Sequence, residues 1–291
     1  MERLLRAKTL IDDKILYLKQ KSQALSKQGL KPHLGVILVG NNPASLSYIK
    51  NKEKFCSRIE ADFSLINLPE DIEKEKFLEH IQRLNEDHSV TGCFVQLPLP
   101  NHFNDLDVTQ MINPLKDVDG FHLKTIEKIY QGDLTGIIPC TPKGIITLLE
   151  ANNIQIKGMD IVIIGRSYIV GKPLSLLLER KNATVTLCHS HTKDIKKYTS
   201  QADIIISAVG IPLLITKEHL NPQNNQIIID VGINRYNNKL VGDVDFESVK
   251  DHVKAITPVP GGVGPMTVFS LMENLILTTT NILNNQNKGS L

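Results

Sequence analysis

Residues 160–190 constrain this chain more than any other stretch. Ile161 to Ile164 form an apolar run without alternation, the pattern of a strand covered on both faces in a parallel sheet. Gly165 ends it. Gly171 and Pro173 open an amphipathic segment, and proline is accepted in a helix's first turn because the missing N–H has no partner there. A second strand is expected from Ala183 to Cys188. Strand, glycine turn, helix and strand make the βαβ unit that lays a pyrophosphate on a helix N-terminus, where free N–H groups and the positive dipole end meet it. The spacing of Gly165, Ser167, Gly171 and Pro173 is not G-x-G-x-x-G, and packing alone would also produce such a turn.

The end of the second strand is more telling. A cofactor with a free ribose 2′-hydroxyl meets an acid about 20 residues after the glycines. This chain has His189-Ser190-His191 there, and Arg166 in the turn itself. Arg166, Ser190 and His191 suit a 2′-phosphate and favour NADP over NAD. The plainer reading makes them solvated surface residues.

A chain of 291 residues accommodates two domains, and 41% hydrophobic content supports their cores. With a net charge of +2 and no basic run, neither nucleic acid nor a membrane is an expected partner. Met-Glu-Arg-Leu-Leu-Arg reads as a helix start rather than a signal peptide. No apolar run approaches the roughly 18 residues that span a bilayer. Cys56, Cys93, Cys140 and Cys188 lie far apart without C-x-x-C spacing, which suits unbridged thiols in a reducing cytoplasm and no metal.

Strands and helices alternate along the chain. A helix is expected over 5–28 and a strand over Leu34–Val39. Asn42-Pro43 caps a helix reaching about Ile59, followed by a strand at Phe63–Leu68 and a helix at Glu73–Asn85. Cys93–Leu97 is a strand stopped by Pro98 and Pro100. Further strands are expected near 161–164, 183–188, 203–208 and 227–231. A last helix covers about 266–284, and the Asn-rich tail after it should fray. This rhythm argues parallel sheets covered on both faces. The Pro/Gly-rich segments 132–144 and 257–265 are the candidate crossings between domains.

Ser45, Tyr48 and Lys52 recur at i, i+3 and i+7 and so share a helix face. That face starts at the carboxyl end of the strand finishing at Val39, where open α/β sheets hold ligands. A Tyr–Lys pair suits proton chemistry once desolvation loosens the lysine's proton, although a snorkelling surface lysine is commoner. Gln96 is polar within an apolar strand end, so its amide must satisfy loop backbone or fix a neighbouring side chain. Asp117-Val118-Asp119-Gly120 reads as a turn. A metal pair is the sharper alternative, but no third ligand has convincing spacing.

Several longer motifs complete the pattern: Val39-Gly40 with Pro43-Ala44-Ser45, Tyr48 and Lys52; Val95-Gln96-Leu97-Pro98-Leu99; Lys116-Asp117-Val118-Asp119-Gly120-Phe121-His122; Pro139-Cys140-Thr141-Pro142; Gly165-Arg166-Ser167 with Ile169-Val170-Gly171-Lys172-Pro173; and Thr257-Pro258-Val259-Pro260-Gly261-Gly262-Val263-Gly264-Pro265-Met266-Thr267. On these motifs, in this order, the chain resembles the bifunctional methylenetetrahydrofolate dehydrogenase/methenyltetrahydrofolate cyclohydrolase family.

The resemblance implies a two-domain α/β enzyme with its active site in the cleft. Residues 1–139 plus 266–291 would form an N-terminal three-layer α/β catalytic domain that binds folate, and 140–265 a Rossmann-like NADP-binding domain with a parallel sheet. It implies hydride transfer from methylene-tetrahydrofolate to NADP⁺, then hydrolysis of the methenyl product to 10-formyl-tetrahydrofolate. By the same resemblance Lys52 is the central catalytic group, Tyr48 shapes the site, Gln96 holds the lysine amine and Asp119 grips the pterin. Ser45, Pro260, Gly261 and Gly262 complete the substrate side. Thr141, Gly165, Arg166, Ser167, Gly171, Pro173, Ser190, Val209, Gly210 and Ile233 hold NADP. A cytoplasmic homodimer serving purine biosynthesis also follows from the family. The chain departs from the family pattern at 11–13, at Glu60, at Leu123–Glu127, at His191 and at Ile211. Two other readings stand beside this one: a catalytically inactive nucleotide-binding sensor or scaffold of the same fold, and an NADP-linked dehydrogenase acting on a cyclic hydroxy acid.

Overall fold

The computed structural model describes residues 3–289. In chain order the elements are β1 (Arg3–Leu4), α1 (Ala7–Lys27), β2 (His33–Val39), α2 (Pro43–Arg58), β3 (Asp62–Leu68), α3 (Lys74–Glu86), β4 (Gly92–Val95), α4 (Leu123–Gln131), α5 (Cys140–Ala151) and β5 (Asp160–Ile164). There follow α6 (Gly171–Arg180), β6 (Thr184–Cys188), α7 (Lys196–Thr199), β7 (Ile204–Ser207), β8 (Ile227–Asp230), β9 (Asn234–Tyr236), β10 (Lys239–Val241), α8 (Phe246–Val249), β11 (Ala255–Ile256) and α9 (Val263–Gly289). The chain forms two compact units, one of Asp13–Cys140 with Val268–Leu291, the other of Met1–Asp12 with Thr141–Thr267.

In the first unit β2 is the centre of a three-stranded parallel sheet, order β3-β2-β4, with Leu34 opposite Phe63 on one side and Gly92 on the other. All of β2 from Leu34 to Val39 is buried, as its unbroken apolar run requires. α3 covers the sheet with Phe77, Ile81 and Leu84, one stripe at helical spacing, against Ile37, Val39, Cys93 and Val95. The departure at Glu60 has a structural answer. Glu60 itself takes the left-handed conformation, with φ of 59°, and its carboxylate receives Lys19 and Gln23, each at 2.8 Å. The departure at Leu123–Glu127 lies in α4, which His122 caps by accepting the Lys124 N–H and which ends at Gly132 with φ of 89°.

The second unit holds a six-stranded parallel sheet of order β1-β11-β8-β7-β5-β6. Its central strands are runs of isoleucine with Val162, Ile161–Ile164, Ile204–Ile206 and Ile227–Ile229, all buried. Chain order reverses at β5, which has β6 on one side and β7 on the other. Such a switch point leaves a crevice at the carboxyl ends of the two strands, the usual nucleotide position in this class of sheet.

Three expectations are corrected. Arg3–Leu4 is a strand paired with β11, so the first helix starts at Ala7; Met1 and Glu2 lie outside the described residues. The crossing expected at 257–265 falls later, at Thr267/Val268, because α9 itself carries the chain from one unit to the other, whereas the crossing expected at 132–144 holds the boundary at Cys140/Thr141. The helix expected to stop near 284 continues to Gly289, and the last two residues of the tail lie outside the described residues. No helix among the described residues is long and apolar enough to cross a membrane.

Candidate functional site

The Asn42 side chain caps α2 by accepting the Ala44 and Ser45 N–H groups at 2.9 and 3.3 Å. Ser45, Ile49 and Cys56 form the buried stripe of this helix. Lys52 stands on that stripe, between Ile49 and Cys56, and is only half-buried. Its Nζ donates to Gln96 Oε1 at 3.0 Å and lies 3.8 Å from the centroid of the Phe94 ring. Gln96 Nε2 donates to Leu97 O at 2.7 Å, so the amide satisfies loop backbone and fixes a neighbouring side chain at once.

Burial holds the Lys52 ammonium below the ordinary lysine range, opposed by Asp119 and then by Cys140 and Cys56. Burial pushes the Asp119 carboxyl up, while Lys52 pulls it down. Tyr48, half-buried one turn before Lys52, is raised by burial. The two acids of the turn divide their work. Asp117 accepts the Gly120 N–H at 3.0 Å and the His122 N–H at 2.8 Å, and burial pushes it up to about 7. Both its oxygens are spent on the turn. Asn274 pins the same turn by donating to Val118 O at 2.8 Å and Ile138 O at 2.9 Å. Among the described residues no cluster of three His, Cys, Asp or Glu groups could hold a metal ion.

The remaining candidates lie in the other unit. Gly165 has φ of 120°, and a Cβ on it would sit 2.4 Å from Ala208 O. A Cβ on Gly171 would sit 2.0 Å from Gly165 O, so the turn is closed against backbone on two sides. The α6 amides are less open than the sequence implied. Ser167 Oγ accepts the N–H groups of Val170 at 3.2 Å and Gly171 at 3.4 Å, Ser167 O accepts that of Lys172 at 3.0 Å, and Pro173 has none. Arg166 and Ser190, both exposed, each lie two residues beyond the register pair Ile164–Cys188. His189 Nδ1 accepts the His191 N–H at 3.2 Å, and burial, then Arg166 and His191, lower its proton affinity. Ile233 and Ile211 are exposed. Thr141 and Thr267 hydroxyls meet at 3.1 Å. A Cβ on Gly261, with φ of 110°, would meet nothing closer than Pro258 Cγ at 4.0 Å, and Pro260 is exposed beside it while Gly262 is buried.

Sequence reasoning missed Asp243. Its Oδ2 accepts the Val209 and Gly210 N–H groups at 2.8 and 3.2 Å and the Ser207 hydroxyl at 3.1 Å, and its Oδ1 accepts Asn234 Nδ2 at 3.0 Å. Asp230 beside it accepts the N–H groups of Gly232, Asp243 and Val244 and is pushed up to about 7 by burial. The only trace in the sequence is a pair of segments with the same three residue types, Asp230-Val231-Gly232 and Gly242-Asp243-Val244. Each glycine makes room for the other segment's carboxylate: a Cβ on Gly232 or Gly242 would lie 2.1 or 1.7 Å from an oxygen of Asp243 or Asp230.

The description "Tetrahydrofolate dehydrogenase/cyclohydrolase, catalytic domain" matches residues 5–119, and its "NAD(P)-binding domain" counterpart matches 139–283. The chain belongs to the tetrahydrofolate dehydrogenase/cyclohydrolase family. It is 48% identical to the bifunctional protein FolD of Aquifex aeolicus over 260 residues, 89% of each chain. Its fold matches the crystal structure of the Campylobacter jejuni bifunctional FolD with a TM-score of 0.92, at 44% identity and covering 97% of this chain and 99% of that one. A third member of the tetrahydrofolate dehydrogenase/cyclohydrolase family, from Trypanosoma brucei, was solved with NADP cofactor and inhibitor and matches with a TM-score of 0.90 at 30% identity, covering 96% and 98%. Shikimate dehydrogenase of Aquifex aeolicus shares the fold alone, at 11% identity and a TM-score of 0.52.

Proposed function

We propose that this chain oxidises methylene-tetrahydrofolate to methenyl-tetrahydrofolate with NADP⁺ and hydrolyses that product to 10-formyl-tetrahydrofolate. The observation that carries the reading is the amine of Lys52, half-buried and held 3.0 Å from the Gln96 amide oxygen in a chain of this family. Hydrolysis of the methenyl cation requires a water to lose a proton as it bonds to the bridging carbon, and a ring nitrogen to gain one as its bond to that carbon breaks. A lysine amine held below its ordinary range accepts the first proton and returns it to the ring nitrogen in the second step, while the hydroxyl proton of the adduct passes to solvent as the formyl C=O forms, the one proton the reaction releases overall. A cationic substrate beside it lowers its proton affinity further. Gln96 orients the amine, Tyr48 borders it one turn earlier on α2, and Ser45 lies on the same face. Asp119, the turn acid with no backbone duty, takes the pterin N–H groups. The intact Lys52–Gln96 geometry favours this reading over a catalytically inactive sensor or scaffold.

The residues around the β5/β7 switch point fit NADP. Exposed Arg166 and Ser190 end neighbouring strands, no acid stands with them, and a Cβ on Gly210 would meet nothing closer than 4.0 Å. When bound, the nicotinamide accepts the hydride. Arg166 and Ser190, with His191, bind the 2′-phosphate; Gly165, Gly171 and Pro173 shape the turn, and Ser167 holds it closed. Asp243 holds Val209 and Gly210 in place, with Ile233, Thr141 and the Pro260–Gly262 segment completing the surroundings of the reacting groups. Assigning folate to the unit of Asp13–Cys140 with Val268–Leu291 and NADP to the unit of Met1–Asp12 with Thr141–Thr267 is part of the proposal; these bounds differ from the expected 1–139 plus 266–291 and 140–265 chiefly because β1 pairs with β11. So are a cytoplasmic location, supported by four buried cysteines without a disulfide, and a homodimer supplying formyl groups for purine biosynthesis, supported by the family resemblance. A steady-state assay of both steps, with NADP⁺ and NAD⁺ in parallel, tests the reading. Absence of methenyl-tetrahydrofolate turnover with either cofactor would return the inactive scaffold.

A further inference from the structure

β4 alternates faces. Cys93 and Val95 point into the core shared with α3, so Phe94 and Gln96 point to the other face. The ladder continues past the strand's last residue, because the Gln96 N–H donates to Ile37 O at 2.8 Å. Phe94 and Gln96 therefore address the same side chain from adjacent positions of one strand face. The amide oxygen receives Lys52 Nζ at 3.0 Å, while the ring centroid lies 3.8 Å from that nitrogen. Phe94 is 3% exposed, so this ring face is dry apart from the ammonium it carries. A ring face is the negative pole of the aromatic quadrupole, and it attracts a cation most when water is excluded.

We propose that Phe94 is a positioning residue for Lys52, its ring face holding the ammonium against the Gln96 amide and setting how readily the amine gives up its proton. The proposal rests on Lys52 being the acid–base group, and it explains how a desolvated lysine still returns a proton to the leaving nitrogen. Desolvation alone drives the amine neutral. The groups that oppose it are the Asp119 carboxylate from the turn after β4, Cys140 from the start of α5 and Cys56 from α2. The Tyr48 phenol, itself raised by burial, stands one turn earlier on α2. The ring adds an uncharged, pH-independent share. Unlike Asp119, it neither titrates nor leaves to bind substrate.

The test is a titration of Lys52 by NMR on protein carrying ¹³C-labelled lysine, the resonance assigned by its disappearance in Lys52→Met. Phe94→Leu removes the ring face and keeps an apolar side chain; Phe94→Met does the same with a longer one, should the leucine variant be too unstable. Phe94→Tyr keeps the ring. The Lys52 midpoint should fall by about one pH unit in the leucine and methionine variants and stay in place in the tyrosine variant. The cyclohydrolase limb that rises as the amine deprotonates should move to lower pH by the same amount. An unchanged midpoint in both ring-less variants, with only a lower melting temperature, would overturn the proposal and leave Phe94 a packing residue. Retained hydrolysis in Lys52→Met would instead remove the catalytic role of Lys52, while the titration still decides whether the ring sets its proton equilibrium.

Discussion

The proposed site around Lys52 is built from side chains that a helix and a strand aim inward. The proposed nucleotide site around Gly165 is built from backbone whose amides are already committed, to Ser167 on one side and to Asp243 on the other. The two regions should therefore fail differently. In the first, one side chain can be removed while its helix and strand stay intact. In the second, Gly165 and Gly171 are fixed by the shape of the turn, and the support of Val209 and Gly210 lies a loop away, at Asp243.

The largest expected effect belongs to the first region. Lys52→Met should lower cyclohydrolase turnover by at least the ~10²–10⁴-fold typical of a general acid–base group, with the thermal midpoint barely moved. Hydrolysis near the parent rate would break the contrast at its stronger end. Asp119→Asn comes next. If the carboxylate accepts pterin N–H bonds, worth roughly 1.5–3 kcal/mol each, the folate Michaelis constant should rise at least tenfold, and calorimetric folate binding should weaken in parallel.

The second region predicts the opposite signature. Gly171→Ala drives a methyl into Gly165 O, and crowding of this kind costs about 1–3 kcal/mol. Its melting temperature should fall and its NADP⁺ binding weaken, yet hydrolysis of supplied methenyl-tetrahydrofolate, which uses no nucleotide, should persist. Equal loss of both activities would show that the two regions are not separable. The smallest effect is Arg166→Ala: about a tenfold rise in the NADP⁺ Michaelis constant and little change for NAD⁺. Equal losses with both cofactors would place Arg166 on the pyrophosphate or the turn.

The same contrast explains what could be read in advance. Ile161–Ile164 and the run through Val39 announce buried parallel strands because nothing polar interrupts them. Lys52 is legible because Ser45, Tyr48 and Lys52 recur at i, i+3 and i+7 on a helix face that starts at the carboxyl end of the strand finishing at Val39. Phe94 is not, since an aromatic in a strand ordinarily means core. The strand at Arg3–Leu4 is two residues long and its partner is Ala255–Ile256, so no local pattern could reveal it. Asp243 escapes for the same reason. Its bonds reach back 9 to 36 residues, and a single acid after a glycine carries no signature of that reach. The start of α5 was concealed by Pro142 and Gly144, which read as loop. Yet the proline sits in a first turn, and a Cβ on the glycine would lie 3.0 Å from Met266.

The buried acids Asp117 and Asp230 make folding an event of proton uptake. Each is pushed up to about 7, far above an unfolded aspartate at about 3.8. Between those values the native state binds more protons than the unfolded chain, so stability from these two groups falls as pH rises. Their contribution is fully present below the unfolded value and lost as pH passes through about 7. At pH 6 the protein should release protons on unfolding. The calorimetric heat of unfolding should then change between two buffers of different ionisation enthalpy, and the change should shrink by pH 8.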